Sequence, residues 1–404
     1  MKYFLIGIKG SGMASVAKIL LDKGHRVIGS DTDSYVFTED DLIKRGIKIY
    51  NFGEYDFKDI DFVIVGHSFV NNIDHKNALD NNLKVLEYNE FVASLVKEKY
   101  SIAVCGSHGK TSTVGLLTHL LKKYNPSYLR GDGEGKWTNS KYFIFEACEY
   151  KDHFLKYNPN VTLLLNIDYD HVDYFKTETD YYNSFQKFID NTLDKVYCND
   201  ILKSKIYHKN IYFFNFMNNY LLPVFTNELK CNYSGAIKLC EDIGINKIDI
   251  QNGIDTFVGV KRRNRETIIN DDVIIDDYAH HPTQINLMIN EVKRKYVGKK
   301  IIVIFQPDRY SRIKVFKDEF KKVLGHADKV YLMPFLKSIK NDTNEYFDIS
   351  ILGYDVINDI SDITIKHNCV YLFLSSKDLS KIESNLKDKL YNLNWQLSIN
   401  NLKL

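Results

Sequence analysis

The sequence has no long apolar run, no closely spaced cysteine pair and no excess of one charge. Its apolar stretches fall short of the ~18 residues that a membrane-spanning helix needs, and the N-terminal residues MKYFLIGIKG lead into a predicted strand rather than a cleavable signal. The six cysteines include no C-x-x-C pair, which favours a reducing cytosol over a disulfide framework. The 54 basic and 52 acidic residues leave a formal net charge of +2, so neither nucleic acid nor a membrane surface is indicated as a partner. We therefore expect a cytoplasmic protein of two or three domains.

Residues 105–113, CGSHGKTST, predict a phosphate-binding loop. An apolar strand, residues 102–104, precedes them, and apolar residues at helical spacing follow from Val114 to Leu121. A glycine loop that enters a helix directs unpaired backbone N–H groups and the positive end of the helix dipole at one point, where an oligophosphate fits. Lys110 supplies positive charge, and the hydroxyl of Thr111 suits Mg²⁺. The two glycines lie closer together than in the usual G-x-x-x-x-G-K-[ST] loop, and a surface turn that happens to contain Gly-Lys is the alternative.

The N-terminal residues predict a nucleotide-binding α/β fold. An apolar strand, residues 3–6, runs into a G-x-x-G-x-G turn at residues 7–12, and after a helix a second strand ends at Ser30 and Asp31. This order is typical of dinucleotide-binding domains, in which the turn holds a pyrophosphate and the acid binds a ribose hydroxyl. His67 follows another predicted strand, at a position where ligands often bind. A tight turn without a ligand and an unimportant loop histidine are the alternatives.

Two predicted strands of the middle region end at candidate metal ligands. A strand at residues 142–145 delivers Glu146, and a strand at residues 161–165 leads into NIDYDH, which ends at His171. Phosphoryl transfer needs oxygen or nitrogen ligands for a divalent ion beside the phosphates, and neighbouring strand ends are where they would come from. Solvated loop residues are the alternative. After residue 199 we identify no motif until GVKRR at residues 259–263, where an arginine can reach a γ-phosphate.

The last third of the chain places polar residues after two predicted parallel strands. DDYAHHPT, residues 276–283, follows the first strand, and QPDRYSR, residues 306–312, follows the second. The carboxyl ends of parallel strands are a common ligand-binding edge. We expect a helix that begins with Thr283 as its N-cap, and arginines that can fork onto a carboxylate. The adjacent histidines resemble a metal site, but neighbours at a strand end point apart, which argues against one.

The order and spacing of these motifs resemble those of the Mur ligases. The resemblance rests on GIKGSGM, SD, CGSHGKTST, FEACEYKDHFL, NIDYDHVDYF, GVKRR, DDYAHHPTQI and FQPDRYSR. It covers most of residues 1–335, DDYAHHPTQI is its most discriminating part, and it points to the members that join L-alanine to UDP-N-acetylmuramate. It implies an α/β protein of three domains: a Rossmann-like UDP-sugar-binding domain at residues 1–98, a central P-loop ATPase domain with a mostly parallel sheet at 99–263, and a Rossmann-like amino-acid-binding domain at 264–404.

The resemblance also implies the reaction and the residues that perform it. ATP, with Mg²⁺, would phosphorylate the muramate carboxylate to an acyl phosphate, which the amine of alanine attacks; we expect a monomer or homodimer. The UDP-sugar would lie against Gly7, Gly10, Ser11, Gly12, Ser30, Asp31 and His67. ATP would lie against Gly106, Ser107, His108, Gly109, Lys110, Thr111 and Ser112, with the metal on Thr111, Glu146 and His171. The amino acid would contact Tyr278, His280, Arg309 and Arg312, and the catalytic residues would be Lys110, Arg263, Asp277, His280, Arg309 and Arg312.

Five features depart from the family pattern. The stretch TNELKCN, residues 226–232, keeps only the last asparagine of the G-x-H-N-x-x-N sequence expected near the adenine, and the chain between His171 and Arg263 is short. Asp308 replaces a histidine, Asn264 replaces an aromatic residue after the paired arginines, and SSKD at residues 375–378 replaces a glycine-rich turn. Two alternatives therefore stay open: a diverged ligase for another amino acid or a peptide, and a non-catalytic relative that binds a UDP-sugar or another nucleotide.

Overall fold

The computed structural model describes residues 1–335 and 348–401, with side chains described as far as Tyr391. The chain forms two compact units. The first comprises residues 1–169, 177–223 and 229–258, and the second comprises residues 170–176, residues 224–228 and the chain from Gly259 onward. Three sheets, mostly parallel, confirm the predicted α/β class and the three-domain fold. Across the described ranges, no helix combines the length and the apolar character needed to cross a membrane.

The first sheet has five parallel strands in the order β3-β2-β1-β4-β5. Its strands are β1 (Lys2–Ile6), β2 (Arg26–Asp31), β3 (Lys48–Asn51), β4 (Phe62–Val65) and β5 (Lys84–Glu87). Its helices are α1 (Ser11–Asp22), α2 (Glu39–Lys44), α3 (Ile73–Asp80) and α4 (Tyr88–Lys97). The strand order reverses between β1 and β4. The turns after these two strands therefore flank the crevice in which open α/β sheets bind ligands.

The second sheet has seven strands in the order β12-β11-β10-β6-β9-β7-β8, of which β8 runs antiparallel to β7. Its strands are β6 (Tyr100–Cys105), β7 (Ser127–Leu129), β8 (Gly135–Lys136), β9 (Tyr142–Glu146), β10 (Val161–Leu164), β11 (Lys195–Asn199) and β12 (Ile211–Phe214). Its helices are α5 (Lys110–Leu120), α6 (Glu178–Asp190), α7 (Asn227–Ile243) and α8 (Lys247–Asp255). The last two fill the region in which the sequence showed no motif, and their buried Ile237 and Ile250 complete the core of this sheet.

Helix α1 joins the first two sheets within the first unit. The hydroxyl of Ser15 donates to the carbonyl of Arg130 at 2.8 Å, and the ammonium of Lys18 lies 2.9 Å from a carboxylate oxygen of Glu134. A Cβ atom on Gly135 would lie 2.2 Å from the carbonyl oxygen of Ser15, so only glycine lets β8 lie this close to the helix. The glycine turns after β1 and β6 are thus parts of one packed unit.

The third sheet has six strands in the order β13-β14-β18-β15-β16-β17, with only β13 antiparallel to its neighbour among the described pairs. Its strands are β13 (Arg265–Ile269), β14 (Asp272–Asp277), β15 (Lys300–Phe305), β16 (Lys329–Leu332), β17 (Asp355–Val356) and β18 (Cys369–Leu374). Its helices are α9 (Pro282–Lys295), α10 (Tyr310–Val315), α11 (Lys317–Leu324) and α12 (Ser380–Asn401). Strand β15 is buried on both faces, as its unbroken apolar sequence predicts, with Val303 in one core and Ile304 in the other.

Helix α9 begins one residue before the predicted cap, so the assignment of Thr283 as the N-cap is wrong. His281 is the N-cap, and its Nδ1 accepts the N–H of Thr283 at 3.4 Å. Pro282 takes the first helical position, where its fixed φ and missing N–H cost nothing. The two histidines therefore have different surroundings, as expected for neighbours at a strand end.

Candidate active site

The predicted phosphate loop joins β6 to α5. Gly106 and Gly109 have φ of +138° and +86°, and Gly109 is the N-cap of the helix. A glycine cap has no side chain to accept the first helical N–H groups, so they are available to a ligand's phosphate. The loop is fixed from outside by Asn166, whose side chain accepts the N–H of His108 at 2.9 Å and donates to its carbonyl at 3.0 Å. Ser112 lies in the first turn of α5.

Gly109 gives a direct test of this loop. Alanine there would have an unfavourable φ, at about 1–2 kcal/mol, and its Cβ would lie 2.4 Å from the Nδ2 atom of Asn232. We expect Gly109→Ala to destabilise the protein and to abolish ADP binding. Gly244 is a matched control, because its φ is +94° but an added Cβ would contact no atom within 4 Å. Calorimetric titration with ADP should show normal affinity for Gly244→Ala; equal affinity in both variants would contradict a role for the loop.

Lys110 is held at the loop by the carboxylate of Glu149. Its Nζ lies 2.9 Å from Glu149 Oε2 and donates to the carbonyl of Gly106 at 2.6 Å. Burial alone would lower the pKa of Lys110, but the negative groups around it, Glu149 foremost, together outweigh burial and raise the pKa above its usual range. The ammonium therefore stays charged at neutral pH, as binding to a terminal phosphate requires.

Thr111 and Glu146 supply oxygen atoms beside the loop. The Thr111 hydroxyl donates to Glu146 Oε2 at 2.7 Å, and the backbone N–H of Gly131 donates to the same oxygen at 3.0 Å. A Cβ on Gly131 would lie 2.4 Å from that oxygen and 2.9 Å from the threonine hydroxyl. Glycine at this position therefore leaves room for both oxygen atoms. A hydroxyl and a carboxylate are ligand types that fit Mg²⁺. His171, the third predicted ligand, belongs to the second unit, and its part in this site stays a prediction.

Two further loop residues, Ser107 and His108, are fixed by hydrogen bonds. Their partners are Asp168, which follows β10, and Tyr181 of α6. The Nε2 of His108 lies 2.6 Å from Asp168 Oδ2. The Ser107 hydroxyl accepts the N–H of Asp168 at 2.8 Å and lies 2.9 Å from the hydroxyl of Tyr181. These contacts stabilise the loop itself, so contacts of Ser107 and His108 with ATP remain predictions.

The glycine turn after β1 has the geometry of a pyrophosphate site. Gly7 has φ of +81°, and its N–H donates to the carbonyl of the buried Ser30 at 2.8 Å. Gly10 is the N-cap of α1, which begins at Ser11. A Cβ on Gly12 would lie 2.7 Å from the hydroxyl of Tyr88. Tyr88 therefore packs against this turn, and Gly10 supplies no side-chain cap to the first N–H groups of α1.

Asp31 holds this turn together. One of its carboxylate oxygens accepts the N–H of Lys9 and the other accepts the N–H of Thr32, each at 2.8 Å. Burial raises the pKa of Asp31 despite these bonds. Beside it lies a cavity of about 310 Å³, whose lining includes Lys9, Thr32 and Asn51. A contact of Asp31 with a ribose stays a prediction, since both oxygens have backbone partners.

His67 lies just after β4 and contacts the middle domain. Its Nε2 is 2.9 Å from the ammonium of Lys151, and its ring centroid is 4.6 Å from that of His153. All three residues belong to the first unit. The sequence identified only His67 of these three.

In the second unit, Asp277 organises the end of β14. Its carboxylate accepts the N–H groups of Asn264 and Ala279, each at 2.8 Å, and burial raises its pKa. His280 Nδ1 lies 2.8 Å from the carbonyl oxygen of Tyr278. Burial lowers the pKa of His280 to about 3, against the opposing charge of Asp308. The imidazole is thus neutral at pH 7.

The two arginines of GVKRR have different roles. Arg262 is buried and has φ of +54°, and its guanidinium donates to the carbonyls of Ser375 at 2.9 Å and Ser376 at 3.3 Å. It therefore fixes the turn that replaces the expected glycine-rich sequence, and none of residues 375–378 has a positive φ. The guanidinium of Arg263 lies 4.5 Å from the ring centroid of Tyr278. Arg263 remains the candidate for a phosphate contact.

Arg309 and Arg312 are both paired with acids of residues 170–176. Arg312 binds Asp170 through Nε at 3.0 Å and Nη2 at 3.1 Å, and its Nη1 donates to Asp308 at 2.6 Å. Arg309 pairs with Asp173 at 2.7 Å and is the more exposed of the two. An incoming carboxylate has to compete with two acids at Arg312, the buried Asp170 and the partly buried Asp308. The geometry therefore favours Arg309 as the amino-acid ligand, and both assignments stay predictions.

Comparison with known proteins identifies the family. Three domain descriptions match the chain: Mur ligase family, catalytic domain, at residues 2–100; Mur ligase middle domain, at residues 131–216; and Mur ligase, glutamate ligase domain, at residues 263–354. The chain belongs to the Mur ligase family. Mur ligases are ATP-dependent amide ligases of peptidoglycan synthesis, which confirms the family prediction.

Solved structures of other Mur ligases share this fold. The UDP-N-acetylmuramate-alanine ligase MurC of Thermotoga maritima aligns with a TM-score of 0.80 and 23% identity, over 97% of this chain and 99% of that one. A murein peptide ligase from Psychrobacter arcticus 273-4 aligns with a TM-score of 0.72 and 19% identity, over 96% and 98%. The MurF ligase of Thermotoga maritima in complex with ADP aligns with a TM-score of 0.57 and 17% identity, over 92% and 95%.

Several residues of this Mur ligase site were not predicted from the sequence. Glu149 follows Glu146 by three residues, and the need of a buried lysine for a counter-ion is the signal that identifies it. Asn232 is the remaining asparagine of the altered stretch, and it lies against Gly109 of the phosphate loop. Arg262 was considered only as a neighbour of Arg263. These three residues support the loops on which the predicted ligands would lie.

Proposed function

We propose that this Mur ligase joins L-alanine to the carboxylate of UDP-N-acetylmuramate, with ATP converted to ADP and phosphate. The observation that supports this most is the phosphate loop, in which Lys110 is charged and Thr111 and Glu146 are adjacent. The glycine turn after β1 and the cavity beside Thr32 offer a separate place for the UDP group. Similarity to the Thermotoga alanine ligase over nearly the whole chain supports the choice of substrates.

The residues suit a two-step reaction. A carboxylate oxygen of the sugar attacks the γ-phosphorus, the bond to the β–γ bridging oxygen breaks, and ADP leaves. Lys110 stabilises the negative charge on the transferring group, which is the main catalytic contribution in such reactions. The neutral amine of alanine then attacks the acyl carbon, phosphate leaves from the tetrahedral intermediate, and the amine loses a proton. His280 is neutral, so it can accept a hydrogen bond from that amine.

Mg²⁺ fits the same proposal. Thr111 and Glu146 would hold the ion beside the loop, where it neutralises phosphate charge. Their hydroxyl and carboxylate oxygens are already 2.7 Å apart. The chain therefore brings two suitable ligands together within the first unit.

A ligase for another amino acid or for a peptide is the second candidate. Asp308 occupies one side of Arg312, whose other side is taken by Asp170. This arrangement leaves fewer free donors for an amino-acid carboxylate and adds a buried acid. It therefore favours a changed preference on the amino-acid side rather than on the nucleotide side.

Phosphate release tests the proposal. The protein is incubated with ATP, Mg²⁺ and UDP-N-acetylmuramate, and each amino acid or a stem peptide is added in turn. We expect release that requires both the sugar and alanine, with a product heavier by one alanine residue in mass spectrometry. UDP-N-acetylglucosamine, which has no acceptor carboxylate, is the control. Release with a different amino acid alone would select the second candidate.

A further inference from the structure

Three basic side chains form a cluster that the proposed reaction has not used. We call His67, Lys151 and His153 the basic trio. The ammonium of Lys151 lies 2.9 Å from His67 Nε2, and the two imidazole centroids are 4.6 Å apart in an edge-to-face arrangement. The trio joins the end of β4 to the segment that follows β9 within the first unit. Its members come from the sugar-binding and the ATP-binding parts of the chain.

Among the residues whose side chains are described, the trio has no carboxylate counter-ion. In the parts of the chain whose side chains are described, no carboxylate lies within 4.0 Å of Lys151 or of either histidine. Two acids influence the histidines through space, Glu87 and Asp152, but each has a partner elsewhere. Asp152 accepts the hydroxyl of Ser184, and Glu87 accepts a backbone N–H at the start of α4. Three crowded basic groups without an acid favour an anion among them.

The backbone holds Lys151 in an uncommon conformation. Lys151 and Asp152 have φ of +53° and +60°, in the left-handed region that disfavours residues with a Cβ atom. Two consecutive left-handed residues that are not glycine persist only where their surroundings enforce them, and such strain concentrates at functional sites. Here the conformation places the Lys151 ammonium against His67.

The trio belongs to two segments that each contact one of the glycine turns. On one side, the N–H of Gly66 donates to the carbonyl of Ile6 at 2.9 Å, and a Cβ on Gly7 would lie 2.3 Å from the ring of Phe69. The His67 segment thus packs against the pyrophosphate turn. On the other side, Glu149 precedes Lys151 by two residues and pairs with Lys110 of the phosphate loop. A sugar that extends from the first turn toward the γ-phosphate reaches this region.

We infer that the basic trio binds the free carboxylate of the sugar substrate, the group that receives the phosphoryl group. This inference rests on the proposed function and adds the residues that select an acidic UDP-sugar. The Lys151 ammonium can form a short, charge-assisted hydrogen bond to a carboxylate, and a neutral imidazole N–H can add a second bond, since burial lowers the pKa of both histidines. The trio would thereby discriminate against UDP-sugars that lack this group.

Calorimetric titration with two sugars tests the inference. UDP-N-acetylmuramate and UDP-N-acetylglucosamine differ in the carboxylate-bearing ether group. Lys151→Asn removes the charge but tolerates a positive φ, and His153→Ala removes one ring. We expect each variant to lose about tenfold in affinity for the acidic sugar and to bind the neutral sugar like the wild type. Lys156→Asn is the matched control, because its ammonium is neutralised by Glu90 at 3.1 Å, and we expect it to bind both sugars normally.

The outcomes separate this inference from the proposed function. Equal losses for both sugars would place the trio at the pyrophosphate and overturn the inference, as would unchanged affinity for the acidic sugar in both variants. A wild-type protein that binds neither sugar would instead overturn the proposed function. Restoration of the preference by Lys151→Arg would support the charge as the cause. Circular dichroism of each variant confirms that the fold is retained.

Discussion

Replacement of Lys110 with methionine is expected to reduce phosphate release by about 10³-fold and to leave UDP-sugar affinity nearly unchanged. The ammonium is the one charged lysine group in the phosphate loop, and its interaction with the transferring phosphoryl group strengthens as charge develops. The glycine turn that would hold UDP follows β1, in a different sheet from the loop. Turnover and calorimetric sugar binding, measured on the same preparation, check both parts of the expectation.

The controls for Lys110 separate catalysis from structure. Removal of the ammonium leaves the buried Glu149 without its partner, which is costly in itself. The double variant Lys110→Met with Glu149→Gln removes this cost and should stay inactive while its stability recovers. Lys123→Met, on the surface beside Asp249, should retain full activity. If sugar affinity falls together with turnover, the two nucleotide sites are not separate.

The phosphate loop was predictable because everything that defines it is local. Strand, glycines, Lys110 and helix follow one another within twenty-two residues, from Tyr100 to Leu121, and each part has a distinct sequence pattern. The same holds for the turn after β1. The α/β class and the mostly parallel sheets also followed from the alternation of strands and helices, because a parallel pair needs a crossover connection.

The supporting residues were not predictable, because their partners are distant in sequence. Arg262 donates to three backbone carbonyls that lie more than a hundred residues away in the sequence. Nothing in GVKRR distinguishes it from Arg263. Likewise, Asp170 meets Arg312 only after residues 170–176 pack with the second unit. Helices α7 and α8 were missed because their apolar residues are few and separated by polar ones. Tertiary burial, rather than local pattern, defines them.

Arg312 gives the largest expected effect on stability. Its guanidinium is shared between Asp170 and Asp308, and all three side chains are nearly or fully buried. Replacement of Arg312 with methionine leaves two carboxylates without a partner, and removal of one member of a buried ion pair costs about 3–5 kcal/mol. We expect urea unfolding at pH 7 to show a loss of this size. Arg265→Met is the matched control, because Arg265 is exposed and its buried partner Glu383 keeps Lys387 as a second partner; this variant should lose at most about 1 kcal/mol.

The pH dependence identifies the cause of that loss. Burial alone would raise the pKa of Asp170 and of Asp308, but the positive groups around them, Arg312 foremost, together outweigh burial and hold both pKa values below the usual range. A carboxylate with a lowered pKa contributes stability above its unfolded pKa of about 4, and this contribution disappears as the pH falls through the folded value. Without Arg312, burial raises the pKa values of Asp170 and Asp308. Both carboxylates are then protonated at low pH and no longer destabilise the variant as buried charges. The difference in the free energy of unfolding between wild type and Arg312→Met should therefore be largest above about pH 5 and become smaller below pH 4.

The triple variant, Arg312→Met with Asp170→Asn and Asp308→Asn, should recover most of the stability at pH 7. A loss of stability that is independent of pH would instead indicate a packing effect of the methionine.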